Sequence, residues 1–189
     1  MDVLGLLLYV LFFFCLVKTI YNWVRAFILR ASFKHKLTKL CSEHCYDIKT
    51  VGGFWRSLFR YTSKPDIILK TPHTKYIIRF VTCRARKRFY HFVTPQFYAK
   101  YMKLYFAMFG ASKELGFRMF ETSGYIPELD ESYTKKSDNV QLILLFNPSP
   151  LVINCTSNGK KEEAGNGSQF SNYTIYNANG FINLLKSKD

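Results

Sequence analysis

The residues of this 189-residue chain that have the chemistry to act on a ligand are few and scattered. Cys41-Ser-Glu-His44-Cys45 is the tightest set of soft donors, and on a helix it presents Cys41 and Cys45 on one face with His44 about one turn from Cys41. Tetrahedral zinc needs a fourth ligand, and the sequence has no second Cys/His pair at finger spacing, so both read as buried helix cysteines. His35, His44, His73 and His91 have no His-Glu-x-x-His spacing, and neither a Gly-x-Ser-x-Gly elbow nor a Gly-x-x-x-x-Gly-Lys loop occurs. Glu114, Glu121, Glu128, Asp130 and Glu131 form no evident pair with a shared environment. No metal ion and no cofactor is expected. Arg84, Arg86, Lys87 and Arg88 form the densest cationic site, with Phe89, Tyr90 and His91 directly after it. Such a cluster can hold phosphates while its aromatics stack bases, can rest on anionic headgroups, or can be a solvated hairpin tip. Asp66, directly after Pro65, opens an apolar run.

The elements that must position these residues follow from periodicity. Phe33, Leu37, Leu40 and Cys41 mark one face of a helix over 31–45, and 46–51 alternates like a short strand closed by Gly52-Gly53. In the connector after it, Trp55, Leu58 and Phe59 can form a turn lying on lipid or on the domain. Residues 64–70 and 75–83 read as paired strands around a Thr71-Pro72-His73-Thr74 turn, with 84–88 as a hairpin tip and 89–93 as a third strand. Thr94 and Pro95 predict a helix start, with Phe97, Tyr101, Leu104, Tyr105 and Met108 on one face and a stop at Gly110. Lys113 to Phe120 fits a strand or a short helix, and 127–133 an acidic loop. Residues 139–146 are a nearly continuous apolar strand with both faces expected to be covered. Short strands at 151–154 and 173–176 flank a Gly-, Asn- and Lys-rich loop over 156–168, and Asn179 is placed to cap a closing helix over 180–185. The expected fold class is α/β (α+β): a small single domain with a central mixed sheet flanked by helices, preceded by one transmembrane helix.

This order of helix, strand, paired strands, helix, strands and helix, with Pro65-Asp66 opening the central hairpin, resembles the restriction-endonuclease-like, or PD-(D/E)xK, fold over about residues 31–185. In that family an Asp after Pro and an acidic-x-Lys triplet on the next strand meet around a divalent metal for phosphate hydrolysis. Asp66 matches the first acid. The triplet position reads Ile77-Ile78-Arg79, so Arg79 stands where the Lys would be and Ile77 replaces the second acid. An Ile cannot ligate a hard cation. The resemblance therefore implies a scaffold without a complete catalytic set, Asp66 and Arg79 being its remnant candidates. The plainer reading is that Asp66 orders the turn before its strand.

The stretch with the strongest signal precedes all of this. Twelve of the fifteen residues from Val3 to Val17 are Leu, Val or Phe, none is charged, and Leu8 and Phe13 lie within the run. Together they favour a bilayer by about 4 to 7 kcal/mol, which outweighs Lys18 near one end, where its amine can snorkel. Extended to Trp23 and Val24, the run makes a helix of about 33 Å, enough to cross a hydrocarbon core. A secretory signal would need a basic start and a small-residue cleavage site, and neither is present. Only Asp2 is charged ahead of the run, whereas Arg25, Arg30, Lys34, Lys36 and Lys39 follow it, with Arg25 and Arg30 expected at the surface. The positive-inside rule then puts the N-terminus outside and the rest in the cytoplasm. On this reading 1–30 is the anchor with its basic flank and 31–189 a basic cytoplasmic domain.

A net charge of +14 suits anionic lipid and nucleic acid equally well. Five cysteines at 15, 41, 45, 83 and 155 are no disulfide framework. Asn154, Asn166 and Asn172 match the glycosylation triplet, but the expected topology hides them from the modifying enzyme. The function expected is that of a single-pass membrane protein whose small basic domain binds a partner or the anionic membrane surface without catalysis. The alternative is a membrane-tethered nucleic-acid-binding protein or nuclease. The partners expected are the bilayer and anionic headgroups, with nucleic acid second.

Overall fold

The apolar run at 140–146 is covered on both faces, and the two layers that cover it define the fold. The computed structural model describes residues 3–51, 54–55, 60–82, 89–94, 97–103, 106–108, 111–113, 118–134, 139–150, 152–157 and 160–187. A helix, α1 (Val3–Glu43), leads into β1 (Asp47–Thr50), β2 (Ile67–Lys70) and β3 (Lys75–Val81). Then come β4 (Phe89–Thr94), β5 (Phe97–Lys103), β6 (Phe106–Met108), β7 (Ala111–Lys113) and β8 (Arg118–Tyr125). A single turn, α2 (Glu131–Thr134), precedes β9 (Val140–Phe146). The chain closes through β10 (Val152–Ser157), β11 (Lys160–Glu163), β12 (Gln169–Phe170), β13 (Tyr173–Asn177) and α3 (Ala178–Lys186).

Six strands form a mixed sheet in the order β1-β2-β3-β9-β13-β12, with β9 parallel to both β3 and β13. Five more form a second sheet, β11-β10-β4-β5-β8, in which β10 runs parallel to β4; β6 and β7 pair separately. The period-2 alternation of β3 and β9 sorts their side chains between two cores. Tyr76, Ile78, Phe80, Ile143 and Leu145 pack with Phe33, Leu37, Leu40 and Cys41 of α1 and Phe181 and Leu185 of α3. Ile77, Val81, Leu144 and Phe146 point the other way, onto Tyr90, Phe92 and Cys155 of the second sheet. The layers are therefore helices, six-stranded sheet, five-stranded sheet. The α+β class and the central mixed sheet match expectation, but the two long helices, α1 and α3, both pack on one face, and only the single turn α2 reaches the other core, through Tyr133.

Four local expectations are corrected. In the segment expected as a helix with Phe97, Tyr101, Leu104, Tyr105 and Met108 on one face, the described residues instead form β5 and β6, Leu104 and Tyr105 lying outside them. Its apolar spacing fits a helix, but β5 pairs with both β4 and β8, and that ladder overrides a local preference which aromatic residues hold weakly. The loop expected over 156–168 contains β11, which folds back on β10 from Ser157↔Lys160 to Asn154↔Glu163. The closing helix begins earlier than expected: the cap is Asn177, whose Oδ1 accepts the Gly180 N–H at 2.7 Å. Finally, α1 stops at Glu43, so Cys45 shares no helix face with Cys41. Cys45 adopts φ 56°, and Tyr46 N–H closes on Cys41 O at 2.8 Å, the Schellman pattern in which glycine is usual. Cys41 is buried and Cys45 exposed.

Candidate functional site

The helix α1 has two unlike halves, and the place where they meet is where the chain is most unusual. No residue of its most apolar 18-residue window is buried within the molecule. Val3, Leu8, Phe13 and Val17 are all exposed, and Trp23 is half-buried where the helix reaches the rest of the chain. Soluble monomers rarely expose contiguous apolar patches of more than a few hundred Å². A bare helix of this length and composition matches a membrane anchor or a signal sequence. From Ala26 onward the same helix is structural, with Ala26, Arg30, Phe33, Leu37, Leu40 and Cys41 facing inward at steps of 4, 3, 4, 3 and 1. The boundary between residues 30 and 31 falls inside this helix, with Ala26 and Arg30 both in the buried face.

Arg30 is not at the surface as expected; it is 0% exposed. The inward stripe simply includes position 30, and it was legible in the sequence as Ala26, Arg30, Phe33, Leu37 and Leu40. Its guanidinium donates to Phe54 O and to Thr82 Oγ1, both at 2.5 Å, so it ties α1 to the turn after β1 and to the end of β3. The Phe80 ring lies 4.5 Å and the Phe54 ring 5.5 Å from the guanidinium carbon, so the cation is wedged between aromatic faces. One residue earlier, Leu29 O accepts from Asn147 Nδ2 at 3.0 Å, which brings the end of β9 to the same level of the helix. On the outer side, Trp55 stacks on Phe27 at 4.5 Å and 21°, and Lys34 Nζ sits 5.3 Å over the Phe54 ring. The junction is thus locked by three chain segments far apart in sequence.

The other sequence candidates fall elsewhere. Asp66 is buried, and its Oδ2 accepts the Phe80 N–H at 2.8 Å while its own N–H donates to Ile78 O, so it clasps β3 ahead of β2. Ile77 is fully buried in the inter-sheet core. Arg79, also buried, donates through both terminal nitrogens to the carbonyls of Thr62 and Pro127. It also reaches Tyr173, whose hydroxyl is raised above its ordinary range by burial, against which the Arg79 charge and hydrogen bond work. Residues 84–88, and with them Arg84, Arg86, Lys87 and Arg88, lie outside the described residues, as do Leu58 and Phe59. Among the described residues no group of three or more His, Cys, Asp or Glu side chains converges as a metal site would. His44 and His73 line an open cleft of about 330 Å³ at the far end of α1, with Tyr46, Tyr76, Thr71 and Leu185. Sequence reasoning did not bring these two histidines together, because only the Thr71–Thr74 turn and the end of α1 juxtapose them.

Comparison of the chain with protein-family models, with curated proteins and with solved structures found no match.

Proposed function

We propose that this protein is a single-pass membrane protein whose basic α+β domain is held close to an anionic membrane surface, where it binds and does no chemistry. The observation that carries the reading is the division of α1. No residue of its most apolar window is buried, and its second half is part of the domain's own core. The two halves form one unbroken helix, which fits a retained anchor. Arg25, Lys34, Lys36 and Lys39 follow the span and Asp2 alone precedes it, so the positive-inside rule favours an outer N-terminus and a cytoplasmic domain. Each well-placed cation near an anionic leaflet adds about 1 kcal/mol of attraction.

Alkaline carbonate extraction and protease protection of the full chain in its native membrane test both parts of this reading. The chain is expected to stay with the membrane, at full length, with the domain digested only when the cytoplasmic side is exposed. Release by carbonate, cleavage near Val24, or glycans on Asn154, Asn166 or Asn172 would overturn it. Reconstitution into neutral and anionic vesicles tests the surface contact. Protease sensitivity of the domain should fall on anionic lipid and return with salt.

A further inference from the structure

We infer that the stacked pair Phe27–Trp55 is a seat in the membrane interface, so that the lipid headgroup layer is the partner of this edge of the domain. The inference rests on the reading of α1 as a membrane anchor. Trp55 belongs to the turn after β1, not to the helix, yet it lies flat against Phe27 at 4.5 Å. Phe27 is 51%, Ile28 58% and Trp55 39% exposed, and this apolar patch runs without a break into the bare half of α1 through Val24 at 50%. Continuity with the span is what identifies the occupant.

Depth agrees. With Val3 at the outer edge of a hydrocarbon core of about 30 Å, Phe27 lies about 36 Å along the helix, or about 6 Å past the inner edge. A typical tilt of about 20° reduces that offset to about 4 Å. Either distance falls in the headgroup layer, which extends about 5 to 7 Å beyond the core on each side. Trp is the side chain best suited to that layer, since its ring is apolar and its indole N–H needs a polar neighbour. Lys34 on the Phe54 ring marks the next level, about 10 Å further along the helix. Phe54 binds Arg30 through its carbonyl, so the turn carrying Trp55 is fixed to the helix and cannot swing away from the membrane independently of it.

The chain's two tryptophans make the test direct. The full-length W23F variant, whose single tryptophan is Trp55, is reconstituted into vesicles containing lipid brominated either near the headgroup end or near the methyl end of the acyl chain. Trp55 fluorescence should be quenched at least about twofold more by the shallow label than by the deep one, as for an interfacial ring. Trp55 that ignores both labels and is quenched by aqueous iodide faces water, and the seat is overturned. Trp55 that ignores both labels and iodide alike is covered by protein, for instance a second copy of the chain, and the seat is again overturned. In W55F, Trp23 reports on the anchor itself. Quenching of Trp23 by bromolipid with none of Trp55 removes the seat and leaves the anchor, whereas neither tryptophan quenched removes both.

Discussion

Replacing Arg30 tests whether the junction between the apolar helix and the domain is a built polar lock or ordinary packing. Arg30→Ala removes both donors to Phe54 O and Thr82 Oγ1 and the cation from between the Phe80 and Phe54 rings. Phe54 is 1% and Thr82 6% exposed, so water cannot readily replace the lost donors. An orphaned buried acceptor costs about 1–3 kcal/mol and the lost cation–π contacts about 1–2 kcal/mol. Relief from holding a cation out of water offsets part of this. The net loss expected is about 3 kcal/mol, a large fraction of the 5–15 kcal/mol that holds a typical domain together. Arg30→Met refills the space of the side chain's stem without donors and should recover about half of that loss. The assay is urea unfolding of the full chain in a mild detergent, followed by tryptophan fluorescence and near-ultraviolet circular dichroism. Arg30→Ala within about 0.5 kcal/mol of the parent would refute the reasoning, since changes of that size are what surface positions give.

Burial pushes the Cys41 and Cys155 thiols up from the ordinary 9.0 to about 11, chiefly by desolvating the thiolate. Their contribution to stability is therefore whole below pH 9 and lost as pH rises through about 11, and combining Cys41→Ala with Cys155→Ala should flatten that part of a stability–pH curve. Cys45→Ser should remove one fast equivalent of thiol labelling at pH 8, whereas Cys41→Ser should leave the fast phase unchanged, because only Cys45 of the two is exposed. Asp66→Ala strips the buried Phe80 N–H of its acceptor and should cost about 2–3 kcal/mol in the same unfolding assay; an unchanged midpoint would mean that Asp66 is no clasp. Asn177→Ala removes the cap of α3 and should cost about 1 kcal/mol, with Asn179→Ala costing far less if the cap is Asn177.

Local pattern along the chain was sufficient for the bare apolar half of α1, for the hairpin of β2 and β3, for the double burial of β9 and for the existence of α3. Each is written in adjacent residues: an uncharged run, a Thr-Pro-His-Thr turn between β-branched stretches, five apolar residues in succession, and an Asn before an amphipathic segment. Only the tertiary structure decided that 97–103 forms a strand, because its partners β4 and β8 come from outside the segment and supply hydrogen bonds that no helical spacing reveals. Only the fold could set β9 parallel between β3 and β13, with contacts from Lys75↔Val140 to Asn177↔Phe146. Arg30 shows the division most clearly. Its place on the inward stripe was readable, but an arginine is assigned to water until something nearby can satisfy it. Its partners here, Phe54 O and Thr82 Oγ1, stand 24 and 52 residues away, where chain order says nothing about distance.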